Sequence, residues 1–155
     1  MCTDPEGFVQ ILQPAEGDWV SFHPETARNP HRLLMDLKAR GCKAGIALSP
    51  GVPVSYIDEL GTYLDFVLVM AVNPGFAGQK LIEPMIDKAA RARQLFISAG
   101  YPEMPLETDG NVSAENLVRL KTAGADMFVI GSSGFLNSSC SAENLAERIK
   151  EYGNL

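Results

Sequence analysis

Apolar runs of strand length alternate with amphipathic stretches along the whole chain. The clearest run, residues 64–70, is apolar at almost every position, which is typical of a strand buried on both sides of a parallel sheet. Four more strands are predicted at residues 18–23, 43–48, 104–108 and 126–130. Helices are predicted at residues 5–13, 30–40, 53–60, 83–99, 113–122 and 141–152. This strict alternation predicts an α/β fold built on a parallel sheet of five strands.

Glycine-rich or polar loops follow three of the predicted strands. They lie at residues 73–79, 109–111 and 131–134. A glycine loop between a strand and a helix offers free backbone N–H groups to an anion. Because the carboxyl ends of parallel strands meet on one side of the sheet, the three loops predict a single site on the C-terminal face of a β/α barrel.

Composition narrows the class of protein. A chain of 155 residues with no linker or low-complexity segment is expected to form one domain, residues 1–155. The net charge of −6 argues against nucleic acid and anionic membranes as partners, and no apolar run approaches the roughly 18 residues of a membrane span. Three cysteines without a C-x-x-C pair argue against a disulfide framework, so we expect a cytoplasmic protein.

A five-residue sequence occurs twice. Residues 113–117 read Ser-Ala-Glu-Asn-Leu, and residues 141–145 repeat them. A serine followed by a glutamate in the first turn is typical of a helix start. Both copies are therefore predicted to begin helices, with Ser113 and Ser141 as caps.

Five spaced segments resemble the ribulose-phosphate 3-epimerase family, in the same order along the chain. They are residues 22–25, 43–45, 73–79, 107–110 and 123–132. The resemblance implies a TIM (β/α)₈ barrel that inverts carbon 3 of a ketose phosphate, D-ribulose 5-phosphate to D-xylulose 5-phosphate. It also implies a sugar phosphate as substrate, and we expect a homo-oligomer.

The resemblance also indicates which parts of the family are not represented here. Met1 corresponds to the segment just after the family's third strand. Two histidines and a carboxylate base that bind the metal in the family then have no counterpart. We therefore expect an N-terminally truncated barrel of about five β/α units, impaired as an enzyme when it is alone.

By the same resemblance, Asp109 is a catalytic acid and a ligand of a divalent metal ion, zinc, iron, manganese or cobalt. Met1 and Met70 match residues that line the family's pocket. The matches to the phosphate site are Gly75, Phe76, Ala77, Gly78, Gly110, Asn111, Gly131 and Ser132. Epimerisation needs acid/base groups on both faces of the substrate and a cation beside the enediolate.

Two departures from the family pattern keep alternatives open. Ala77 and Asn111 stand where the family usually has glycine, as in the subgroup that acts on six-carbon substrates such as allulose 6-phosphate. A positive φ would strain Ala77, whereas asparagine tolerates it better. An alternative of another class is a catalytically inactive remnant that still binds phosphate.

Two further titratable residues have competing interpretations. His23 ends a predicted strand, and a structural, hydrogen-bonded role is favoured over a polar role near the substrate. Glu107 is interpreted as pointing away from the barrel interior, although strand alternation would then turn Asp109 away as well.

Overall fold

The computed structural model describes residues 1–155 as one parallel sheet with helices between its strands. The strands are β1 (Trp19–Phe22), β2 (Lys43–Leu48), β3 (Phe66–Met70), β4 (Leu106–Asp109) and β5 (Met127–Val129). The helices are α1 (Pro5–Leu12), α2 (Pro30–Ala39), α3 (Tyr56–Leu60), α4 (Pro84–Ser98), α5 (Ala114–Thr122) and α6 (Leu145–Gly153). All five predicted strands are confirmed, and each predicted helix has a counterpart.

Sheet order follows chain order, from β1 through β5, and every neighbouring pair is parallel. Right-handed crossovers between sequential parallel strands place all connecting helices on the same side of the sheet. A doubly wound sheet would instead reverse its strand order at one point. The topology is that of consecutive units of a (β/α)₈ barrel, as predicted.

The two faces of the sheet pack differently. The main core of 19 buried residues lies on the helix side, where Ile46 and Val67 meet helix residues such as Leu34 and Phe96. The opposite face carries a smaller cluster of Ala47, Leu68, Met70 and Val72. Every residue of β3 is buried, which confirms the prediction of a strand covered on both sides.

Aspartates at the N-terminal end of the sheet join neighbouring strands. Asp65, just before β3, accepts hydrogen bonds of 2.9 Å from the Ala44 N–H and the Lys38 ammonium. Asp126, just before β5, accepts one of 2.9 Å from the Leu106 N–H. Burial would raise the pKa of Asp65, but these bonds hold it below its ordinary value. This end of the sheet is therefore fixed by satisfied polar contacts.

The repeated five-residue sequence forms a helix start only in its first copy. The Ser113 hydroxyl accepts the Asn116 N–H at 3.2 Å and caps α5. Ser141 lies in a turn before α6, where its own N–H donates to the Asn144 carboxamide at 2.8 Å. The prediction for the second copy is wrong, because the Asn144 side chain closes a turn ahead of the helix.

Two other features bear on the sequence predictions. Cys2, Cys42 and Cys140 are all free thiols. None of the helices combines the length and apolar character that crossing a bilayer requires.

Asp65→Asn should lower the free energy of unfolding by about 1–2 kcal/mol at neutral pH, because a charge-assisted contact with Lys38 is lost. The folded-state pKa of Asp65 is depressed, so its stabilisation is present above the ordinary aspartate value of about 3.9 and is lost as the pH falls through the lower folded-state value. Urea unfolding at neutral and strongly acidic pH measures both effects.

The exposed Asp58, replaced by asparagine, is the control. This second variant should unfold like the unmodified chain. An Asp65→Asn deficit of the same size at both pH values would contradict the assignment.

Candidate functional site

A cavity of about 460 Å³ lies at the carboxyl ends of β3, β4 and β5. Its lining includes the loops predicted from the sequence. All the predicted site residues line it, namely Met1, Met70, Gly75, Phe76, Ala77, Gly78, Asp109, Gly110, Asn111, Gly131 and Ser132. The fold thus brings together residues that are up to 131 positions apart in the chain.

Strand register places Asp109 at the base of this cavity. It is paired with Met70 of β3 on one side and with Val129 of β5 on the other. Burial raises the pKa of Asp109, and a hydrogen bond from the Gly110 N–H opposes part of the rise. A half-buried carboxyl with a raised pKa is suited to exchanging a proton with a bound ligand.

Glu107 lies on the same face of the sheet as Asp109. It is paired with Leu68, and Leu68 belongs to the cluster opposite the helices. Burial, followed by the charge of Asp109, raises the pKa of Glu107. The interpretation that Glu107 points away from the barrel interior is wrong, because strand alternation holds through the end of β4.

The loop at residues 73–79 is closed by one side chain. The Gln79 carboxamide donates to the carbonyl oxygens of Asn73 at 2.6 Å and Phe76 at 2.9 Å. Gly75 and Gly78 take positive φ values of +131° and +81°, whereas Ala77 does not have a positive φ. The strain that a positive φ would cause at Ala77 is therefore absent.

Asn111 connects the loop at residues 109–111 to the loop at residues 131–134. Its φ of +52° lies in the left-handed region, which asparagine tolerates. Its amide group donates to the Ser133 hydroxyl at 3.1 Å, and its side-chain oxygen accepts from Asn116 at 2.9 Å.

Asn73, Gln79 and Ser133 also line the cavity, although they were not predicted from the sequence. The only signal for them was their position inside the two glycine loops.

Backbone donors in two of the loops are unused. The N–H groups of residues 75–78 make no hydrogen bond within the protein, and neither do those of Gly131 and Ser132. These residues are exposed and line the cavity. No lysine or arginine lines it. The arrangement can therefore bind an anion through backbone amides.

The residues around Asp109 do not form a complete metal site. No group of three or more histidine, cysteine, aspartate or glutamate side chains is placed to hold a metal ion. Besides Asp109, the cavity offers weaker metal ligands. They are the thioethers of Met1 and Met70 and the side-chain amides of Asn73, Gln79 and Asn111. A single carboxylate with these weaker donors does not fit a divalent cation, which prefers several anionic or imidazole ligands.

His23 lines a second cavity of about 250 Å³, whose lining also includes Met70 and Asp109. The histidine is buried, and its Nδ1 lies 3.0 Å from the Ser49 hydroxyl. The prediction of a hydrogen-bonded histidine at this position is confirmed.

The sequence matches known proteins over most of its length. A profile described as the Ribulose-phosphate 3 epimerase family matches residues 1–135. The Ribulose-phosphate 3-epimerase of Serratia marcescens is 41% identical over 127 residues, which are 82% of this chain and 60% of that protein. The enzyme of Escherichia coli (strain K12) is 42% identical over 116 residues, 75% of this chain and 51% of that protein.

Ribulose-phosphate 3-epimerase 2 of Cupriavidus necator is 40% identical over 133 residues, which are 84% of this chain and 55% of that protein. The chain thus spans little more than half the length of these relatives. The profile covers nearly the whole chain, and the parallel sheet, the strand order and the glycine loops agree with it. This chain belongs to the ribulose-phosphate 3-epimerase family.

Proposed function

We propose that this chain carries the phosphate-binding loops and one acid/base carboxylate of an enzyme that epimerises carbon 3 of a ketose phosphate. The leading substrate is D-ribulose 5-phosphate, converted to D-xylulose 5-phosphate, because the relatives are named for that activity. The observation that carries the proposal is the set of unused N–H groups in two glycine loops that share one cavity with Asp109.

Phosphate recognition by backbone amides suits an acidic protein. The chain has a net charge of −6, and neither lysine nor arginine lines the cavity. Amide dipoles attract an anion without requiring a cationic side chain, and glycine allows the backbone to approach the phosphate closely. The loops at residues 75–78 and 131–132 then hold the phosphate, and the sugar extends towards Asp109.

Proton transfer is assigned to Asp109. Removal of the proton at carbon 3, next to the carbonyl, yields an enediolate, and return of a proton to the opposite face inverts the centre. Asp109 exchanges a proton on one face of the substrate at carbon 3. Its raised pKa lies closer to neutral pH than that of an ordinary aspartate, and this favours both accepting and donating a proton. No other acidic side chain lines the cavity, so the 155 residues alone are expected to turn over slowly.

The family resemblance implies a divalent ion, zinc, iron, manganese or cobalt, with Asp109 as one of its ligands. When bound, such an ion would stabilise the negative charge of the enediolate. The residues of this chain do not complete the ligand set. That observation favours a second candidate function, a protein that binds phosphorylated ligands without catalysis.

The alternative substrate, the cellular location and the oligomeric state are proposed on separate observations. Ala77 has no positive φ, so alanine fits its loop without strain. Allulose 6-phosphate remains the alternative substrate, because Ala77 and Asn111 resemble the subgroup that acts on it. We propose a cytoplasmic location because all three cysteines are free thiols. Apolar side chains such as Ile11, 79% exposed, support assembly as a homo-oligomer.

Gly110→Ala should weaken phosphate binding about tenfold or more. A Cβ at position 110 would lie 2.5 Å from Val72 Cγ2 and 2.9 Å from the Val72 backbone nitrogen, at a φ of +111°. The loop at residues 109–111 must therefore shift, and the strained backbone and close contacts cost about 1–2 kcal/mol or more. Titration of the ¹⁵N-labelled chain with inorganic phosphate and with D-ribulose 5-phosphate gives the affinities.

In the same titration, the amide signals of residues 75–78 and 131–132 should shift. Gly51→Ala is the control, because a Cβ there meets nothing within 4 Å. If Gly110→Ala and Gly51→Ala bound phosphate equally well, the assignment of the cavity as the phosphate site would be wrong.

The 155-residue chain should exchange the carbon-3 proton of D-ribulose 5-phosphate with D₂O slowly or not at all, because one of the two acid/base groups is lacking. Proton NMR of the sugar follows the exchange. Asp109→Asn should remove any residual exchange while phosphate binding persists.

Rapid metal-dependent exchange by the unmodified chain would contradict the expected impairment. Residual exchange that survives Asp109→Asn would contradict the role given to this carboxyl. Slow exchange that Asp109→Asn abolishes would distinguish the catalytic proposal from the non-catalytic candidate, because both are compatible with a complete absence of exchange.

A further inference from the structure

A hydrogen-bonded group of three side chains joins the C-terminal ends of β1 and β2. His23 directly follows β1, Glu25 lies in the next turn, and Ser49 directly follows β2. The Ser49 hydroxyl is 3.0 Å from His23 Nδ1 and donates to Glu25 Oε1 at 2.5 Å. Glu25 Oε1 and His23 Nδ1 are 3.6 Å apart.

The donors and acceptors of this group determine the tautomer of His23. An ionised carboxylate only accepts hydrogen bonds, so the single hydroxyl proton of Ser49 goes to Glu25. The Ser49 oxygen then accepts from His23, which requires the proton of the neutral ring to be on Nδ1. Nε2 consequently carries a lone pair.

That lone pair has no partner in the protein, since Nδ1 is the only ring nitrogen of His23 that makes a hydrogen bond. The ring lines the second cavity, which shares Met1, Met70 and Asp109 with the phosphate cavity. The two cavities therefore adjoin at Asp109, with the glycine loops lining one and His23 lining the other.

A buried lysine holds the loop that carries Ser49. The Lys88 ammonium donates to the carbonyl oxygens of Ser49 and Val52, both at 2.5 Å. Only 2% of Lys88 is exposed, and burial, followed by the charge of Arg91, lowers its pKa while Glu25 opposes the decrease. Lys88 belongs to α4, so these hydrogen bonds tie the backbone that carries Ser49 to this helix.

We propose that His23 is a positioning and specificity residue, whose Nε2 accepts a hydrogen bond from a hydroxyl group on the sugar of the ketose phosphate. Glu25 and Ser49 orient the ring, and Lys88 holds Ser49. The inference rests on the proposed function, because it assumes that the phosphate of the same molecule is bound by the glycine loops. A purely structural histidine would need only the contact at Nδ1.

The tautomer can be tested without any ligand. Long-range ¹H–¹⁵N spectra of the full chain at alkaline pH should show the ring proton of His23 on Nδ1. Ser49→Ala should remove that preference. A proton on Nε2 in the unmodified chain would overturn the inference.

Affinities for D-ribulose 5-phosphate and for inorganic phosphate distinguish the sugar contact from the phosphate contact. The side-chain amide of His23→Asn takes the place of Nδ1 towards Ser49 but provides nothing in place of Nε2. This variant should bind D-ribulose 5-phosphate about 5- to 10-fold more weakly and inorganic phosphate with unchanged affinity. His31→Asn, at the other histidine of the chain, is the matched control and should change neither affinity.

The remaining outcomes are distinguishable. If the unmodified chain binds neither probe, the proposed function fails and the inference fails with it. If it binds the sugar phosphate no more tightly than inorganic phosphate, or if His23→Asn weakens both probes equally or neither, the inference fails while the phosphate site stands. Should His23→Asn not fold, Ser49→Ala decides, with a selective loss of sugar-phosphate affinity as the expected result.

Discussion

The pairing of the central strand β3 with both of its neighbours is the constraint on which the candidate site depends. All five residues of β3 are buried, so the strand has no face that could tolerate a different register. Its parallel alignment with β4 places Met70 beside Asp109, and the alignment of β4 with β5 places Val129 on the other side. The three loops that follow these strands must then meet above Asp109. The site is a consequence of how the core packs.

The two ends of the sheet use backbone polarity in opposite ways. At the N-terminal end, Asp65 and Asp126 accept hydrogen bonds from the N–H groups of neighbouring strands, so the polar groups there are satisfied. At the C-terminal end, the N–H groups of residues 75–78 and 131–132 have no protein partner. Unused donors reduce stability unless water or a ligand occupies them. In β/α barrels the first end serves stability and the second serves binding and chemistry.

Two electrostatic features of the cavity act together: its anion attraction comes from neutral amides, and its one carboxyl, Asp109, has a raised pKa. Neutral amides rather than cationic side chains face the cavity, and the chain is acidic overall. Under these conditions a bound phosphate and an ionised Asp109 would repel each other. Burial raises the pKa of Asp109 and of Glu107 on the same sheet face, which reduces that repulsion by favouring the protonated forms. A raised pKa also favours the protonated form that a general acid needs.

The sequence by itself predicted the strands, their parallel arrangement and the glycine loops, and the family resemblance indicated many of the residues that line the cavity. Hydrophobic periodicity and turn residues are local signals, and a parallel sheet brings the ends of its strands together whatever the details. Tertiary structure decided the face on which Glu107 lies, the relaxed backbone of Ala77, the turn at Ser141 and the orientation of His23 by Ser49 and Glu25. Each of these depends on strand register or on a side chain brought close by folding. No local pattern encodes such contacts, because their energies exist only after the chain has packed.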